Sequence, residues 1–184
     1  METIQTMVVT GYRSFELGVF QEKDPKIKVI KKVIKMSIQQ YVEEGLEWIL
    51  IGGNLGVEIW AGQVVLELQK EYPELKLGIL FPYAEFGEQW NEKNKQLLED
   101  LKTQANFVDA VSHSVYTNPS QLKNHSKFLL SHSGGAILIY DEEFPGKTRF
   151  FLEESKEFAE NNSFVIHQIS MDDLQNTFFD DDSV

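Results

Sequence analysis

Six short apolar runs recur along the chain, each separated from the next by enough sequence for one helix: TMVVTGY (6–12), EWILIGG (47–53), LKLGILF (75–81), NFVDAVS (106–112), GGAILIY (134–140) and SFVIHQI (163–169). A strand with one wet face alternates polar and apolar residues. These runs are nearly continuous, as strands buried on both faces must be. Five stretches of helical periodicity lie between them, at 25–44, 56–72, 87–103, 118–133 and 146–162. The alternation predicts an α/β fold, a Rossmann-like doubly wound, mostly parallel sheet with helices on both faces. Local punctuation agrees: Asp24 caps the first helix, Pro25 takes its first position, Gly45 closes it, and Asn118 with Pro119 opens the fourth. Strand order is not contained in the pattern.

A chain of 184 residues reads as one domain, residues 1–170, followed by an acidic C-terminal tail, 171–184. Hydrophobic residues at 42%, with thirteen Phe, suffice for a core and exclude a disordered chain. The longest apolar runs fall far short of the ~18 residues of a membrane span, so no membrane insertion is expected and the protein reads as cytoplasmic. With no cysteine there is no disulfide, thiolate metal site or Cys nucleophile, and the four histidines form no metal box. A net charge of −12 opposes nucleic acid unless positive charge is concentrated. The one basic concentration, KDPKIKVIKKVIK (23–35), interleaves its lysines with Ile27, Ile30, Val33 and Ile34, and reads as the solvated face of a core-packed helix. In the tail, Phe178 and Phe179 are expected to dock on the body, with the closing Asp cluster frayed.

In a sheet of this class, ligands bind beyond the carboxyl ends of the strands. The second strand ends in GGNLGVE, where Gly52, Gly53 and Gly56 form either a tight turn or a phosphate cradle at a helix N-terminus. The dinucleotide fingerprint is incomplete, since its first glycine falls on Ile51 and no acid ends the third strand. Arg13 follows Gly11 and Tyr12 at the end of the first strand. It is one of two arginines in the chain, and its donor fork suits phosphate. Glu58 reads as an acceptor for ligand hydroxyls, as a general base, or as a residue placed there by the helix dipole; Asn54 reads as a helix cap. Tyr83 and Trp90, with Phe81 and Phe86, could stack on a base or pack the core. At the fifth strand's end, Tyr140 and Asp141 lead to Gly146, Lys147 and Thr148. This GKT is not a P-loop, because Asp141 stands where its first glycine belongs. His125 and His132 share one helical stripe with Leu122 and Leu129 and read as packed or rim residues.

The segments VVTGYRSFELG, ILIGGNLGVEIWAG, GILFPYAEFGEQW and KFLLSHSGGAILIYDEEFPGKT, in that order, resemble the YpsA family. That family belongs to the SLOG superfamily, together with DprA-like and LOG-like Rossmann proteins, and the resemblance covers roughly residues 5–170. It implies a cytoplasmic protein that binds a nucleotide-derived ligand such as ADP-ribose or NAD, with Gly11, Arg13, the loop 52–58 and residues 140–148 around the pocket. It also implies a link to bacterial cell division and its proteins. The LOG-type motif PGGxGTxxE is replaced here by GGNLGVE, so that chemistry does not carry over. Ser131 and Gly134 stand where relatives carry Asp, and Lys147 where they carry Gly. Single-stranded DNA binding, found in DprA-like members, is opposed by the chain's charge.

The expected function is therefore nucleotide or nucleotide-derivative binding of a sensor kind, with Gly11, Tyr12, Arg13, Gly52, Gly53, Asn54, Gly56, Glu58, Tyr83, Trp90, Tyr140, Asp141, Gly146 and Thr148 as ligand-binding residues. Alternatives are a hydrolase cleaving an N-glycosidic or phosphoester bond, with Glu58 and Arg13 as catalytic candidates, and a ligand-independent adaptor.

Overall fold

The computed structural model describes residues 3–182. In chain order the elements are β1 (Thr6–Gly11), α1 (Pro25–Glu43), β2 (Trp48–Ile51), α2 (Val57–Leu68), β3 (Lys76–Phe81), α3 (Glu92–Gln104), β4 (Phe107–Ala110), α4 (Ser120–Ser131), β5 (Gly135–Ile139), α5 (Thr148–Ala159), β6 (Val165–Ile169) and α6 (Met171–Asp182). The six strands form one sheet in the order β4-β3-β2-β1-β5-β6, and every neighbouring pair is parallel. A parallel pair needs a crossover, and crossovers of this kind are right-handed. From β1 the chain steps outward through β2, β3 and β4, which puts α1, α2 and α3 on one face. It then returns across the sheet to β5 and steps the other way, putting α4 and α5 on the opposite face. The helix contacts follow this division: α1 meets α2, α2 meets α3, and α4 meets α5.

Met7, Val8 and Val9 of β1 and Ile137, Leu138 and Ile139 of β5 lie at the centre with almost no exposed surface. The continuous apolar reading holds for these central strands. It fails for β4, an edge strand of four residues in which Phe107 and Val108 are exposed, so its sequence overstates its burial. On α1, Asp24 accepts from the Lys26 N–H, Pro25 takes the first turn, and Gly45, at φ +112°, follows the last one. Its buried stripe is Ile30, Val33, Ile34, Ser37, Ile38 and Tyr41. Lys35 pairs with Glu67 of α2, so this lysine is neutralised within the fold.

Three boundaries differ from the sequence reading. The segment 87–90 is not helical, because Gly87 takes φ +84° and Trp90 N–H turns back to the Gly87 carbonyl; α3 begins after Asn91, whose side chain caps it. Asn54 does not cap α2, a position held by Gly56. The tail beyond residue 170 is α6, helical through Asp182 rather than frayed; it packs on α1 and buries Leu174, while the Phe179 side chain lies outside the described residues. No described helix is long and apolar enough to cross a membrane.

Ile137 is fully buried at the centre of the sheet, paired with Val9. Replacing it with Ala removes three methyl-sized groups from a close-packed site. The expected loss is about 2–5 kcal/mol of unfolding free energy, read from urea denaturation.

Candidate functional site

The sheet order reverses between β1 and β5, and the crevice at such a reversal is where doubly wound folds receive ligands. Arg13 stands at the end of β1 and Thr148 opens α5 beyond β5, so the two flank this point. A cleft of about 1090 Å³ opens along the carboxyl edge. Of the residues singled out from sequence, Arg13, Gly52, Asn54, Gly56, Glu58, Tyr83, Trp90 and Thr148 line it.

The β1 and β2 loops are tied to each other. Ser14 N–H donates to the Leu55 carbonyl and Val57 N–H to the Tyr12 carbonyl, a short antiparallel bridge centred on Arg13 and Gly56. Gly56 has φ +110°, and a Cβ there would sit 2.5 Å from the Tyr12 carbonyl oxygen, so the bridge requires glycine. Gly53 lies against the Phe81 ring, and Gly52 against Glu58 and His125.

Glu58 closes this corner. It stands in the first turn of α2 and is only 3% exposed. Its Oε1 accepts from Gly52 N–H at 2.7 Å and Asn54 N–H at 3.4 Å, and its Oε2 accepts from Thr10 Oγ1 at 3.1 Å and Asn54 Nδ2 at 2.9 Å. Four donors fill the acceptor capacity of a carboxylate. The loop thus wraps an anion that belongs to the chain, and Asn54 spends its side chain on Glu58 instead of on the helix end.

A second carboxylate plays a similar part at the β5 side. Glu16 accepts from Arg13 N–H at 2.7 Å and from Lys147 N–H at 2.9 Å, bridging the short 3-10 turn Ser14–Leu17 to the start of α5. Sequence reasoning missed Glu16, although an acid three residues beyond a turn start is the spacing that returns to the backbone N–H. Tyr12 and Asp141 lie beneath the cleft. The Tyr12 hydroxyl has one proton to share between the Phe144 carbonyl at 2.8 Å and the Asp141 carbonyl at 3.0 Å and accepts from Asp141 N–H, and Asp141 Oδ2 accepts from Met171 N–H at the start of α6. Tyr140 packs against Tyr12, and Gly146 N–H points to the Tyr140 hydroxyl. Gly11, Gly53, Tyr140, Asp141, Tyr12 and Gly146 therefore support the walls without lining them.

Arg13 differs from all of these. Its Nη1 hydrogen-bonds the Gly11 carbonyl at 3.4 Å and Thr148 Oγ1 at 3.3 Å, both neutral oxygens. Arg149 by contrast pairs with Glu153. Among the described residues no carboxylate ion-pairs with Arg13, and its guanidinium faces the cleft together with Lys93, Lys123 and Lys147. Half-buried Tyr83, Phe86 and Trp90 form an aromatic row, with ring centroids 5.4 and 5.5 Å apart.

His125 completes the floor. Its Nε2 lies 2.6 Å from the Leu80 carbonyl, which fixes a proton on that nitrogen. Burial, the largest influence, pushes its pKa below the ordinary value; Arg13 acts in the same direction, while the Leu80 carbonyl and Glu58 oppose it. His132, on the same sequence stripe, is exposed and stacks on Phe128. Among the described residues no group of His, Asp and Glu could hold a metal ion.

A family model, YpsA, described as the YspA SLOG family, matches residues 7–174. The chain is also similar to a UPF0398 protein of Enterococcus faecalis, 56% identical over 180 residues that cover 98% of this chain and all of the relative. It is 44% identical over 169 residues to a UPF0398 protein of Lacticaseibacillus casei, covering 92% of this chain and 88% of that one. A Bacillus pumilus UPF0398 protein is 39% identical over 184 residues, with 97% of each chain covered.

Two outcomes follow from the geometry of the floor. Glu58→Gln keeps the shape but offers one acceptor oxygen where four donors converge. We expect about 1–3 kcal/mol lower stability and faster amide exchange at Gly52 and Asn54. His125, with its folded pKa below its unfolded value of about 6.5, stabilises the fold above that pH and loses its contribution as pH falls toward the depressed value. Melting temperature is expected to fall from pH 6.5 to pH 5, with a shallower slope in His125→Gln.

Proposed function

The chain belongs to the YpsA family of SLOG proteins, and from that premise we propose that it binds a nucleotide or nucleotide derivative in the carboxyl-edge cleft and acts as a sensor of it. One observation carries the reading: among the described residues only neutral oxygens hold Arg13 at the sheet's reversal point, which leaves its charge for an incoming anion. A guanidinium already paired with a carboxylate would have little to offer a phosphate. The Gly11 carbonyl and Thr148 hydroxyl fix the fork without neutralising it, which lowers the ordering cost of binding. The phosphate belongs on Arg13, with Lys147 near it. The glycine loop serves as a wall, since the Gly52 and Asn54 N–H groups already hold Glu58. Tyr83 and Trp90 offer ring faces to a base.

The same geometry weighs against the hydrolase alternative. A general base needs a free lone pair for the proton it takes, and both Glu58 oxygens are filled from within the chain. ADP-ribose and NAD remain the ligands proposed. A cytoplasmic site of action and a cell-division protein that reads the occupied state form the family-level part of the proposal.

Calorimetric titration with AMP, ADP-ribose and NAD tests the reading. At least one is expected to bind, and Arg13→Ala is expected to weaken it by at least ~10-fold, the loss of a charge-assisted bond. Binding indifferent to Arg13, or no binding at all, would remove the proposal. Chromatography of the same mixtures is expected to show no released base or phosphate.

A further inference from the structure

The cleft has aromatic groups at both ends. Tyr83, Phe86 and Trp90 follow β3; Phe15 follows β1, and Phe150 lies in α5 beyond β5. Along the sheet edge, β3 and β5 are separated by β2 and β1, three strand spacings of about 4.8 Å, or about 14 Å in all. Arg13 and Phe15 share the loop after β1, which lies between the ends of β3 and β5. Phe15 and Phe150 are each 57% exposed and line the same cleft. Each also has a cation at its ring, Lys147 Nζ 5.5 Å from the Phe15 centroid and the Arg149 guanidinium 4.9 Å from that of Phe150. The far end thus combines open ring surface with Lys147, which lines the cleft together with Arg13, whereas Arg149 pairs with Glu153, in a chain of net charge −12.

We propose that the ligand is a dinucleotide in an extended form, its two bases at the two aromatic ends and its bridging diphosphate on Arg13. This rests on the nucleotide reading above and adds a second base site. A ligand with one base fills one end and leaves the other wet. A second base stacking on Phe15 or Phe150 adds contact that ADP-ribose cannot make.

Diadenosine diphosphate and ADP-ribose differ only in the second adenine, so the pair isolates the claim. By calorimetry the wild-type chain is expected to bind diadenosine diphosphate at least ~10-fold tighter. The double variant Phe15→Ser, Phe150→Ser is expected to bring the ratio of the two affinities to about one, whatever its absolute affinity for ADP-ribose; both rings are exposed, so the fold should tolerate the change, and circular dichroism checks it. Equal affinity of the two ligands for the wild type, with Arg13→Ala still weakening both, would overturn the second base site and leave the nucleotide reading standing. Binding of neither ligand would overturn both. A preference that survives in the double variant would overturn the placement. Sedimentation of wild type and double variant is expected to give one mass; a smaller mass for the variant would instead assign the two rings to contact with a second copy.

Discussion

One buried carboxylate organises the carboxyl edge of this sheet. Glu58 gathers donors from the end of β1, from the loop after β2 and from Asn54, while its own backbone is the first turn of α2. A charge taken out of water is tolerable only when its hydrogen bonds are complete, and here they are. The interaction therefore specifies the loop: if any donor moved, a buried charge would lose a partner. Three elements are brought to one point with little freedom, and the walls of the cleft inherit that rigidity.

The consequence for ligand binding is one of position. Loops rich in glycine ahead of a helix commonly offer their amides to a phosphate. In this chain two such corners are met by protein carboxylates, Glu58 at the β2 loop and Glu16 at the start of α5. Both anions come from the chain itself, and among the described residues Arg13 has no carboxylate within ion-pair distance. On the proposed reading, a phosphate would be met by a side chain whose planar fork matches it, and not by loop amides. Glycine in the loop answers to packing: Gly56 to the Tyr12 carbonyl, Gly53 to the Phe81 ring.

The architecture was legible because strand burial on both faces leaves a direct trace in composition, and the order of apolar runs gave every strand and every helix up to α5. The edge character of β4 was not, since NFVDAVS carries as many apolar residues as a buried strand and exposure depends on strand order. Arg13 was legible as a residue of the carboxyl edge by type and place, and it lines the cleft there with the Gly11 carbonyl and the Thr148 hydroxyl as its hydrogen-bond partners. Glu58 was legible as a residue of the corner but not in its role, because nothing in GGNLGVE says whether the side chain turns outward or folds back on its own loop. Glu16 escaped notice since its role comes from proximity across more than a hundred residues, in the bond it accepts from the Lys147 N–H. The final helix was hidden by its acidity, which resembles that of a solvated tail.

The return from β4 to β5 across the whole sheet bears on how the protein comes into being. Strands β1 to β4 are laid down as neighbours in order, each able to pair with the one before it as it leaves the ribosome. The partner on the other side of β1 arrives only much later, with Val9 aligned to Ile137. Such long-range closure is slow relative to local pairing. A nascent chain lacking α5 has Arg13 without Thr148 to steady it and has no far wall to its cleft. The cleft is thus complete only after more than four-fifths of the chain has been made, long after the β1 and β2 loops that form its first wall.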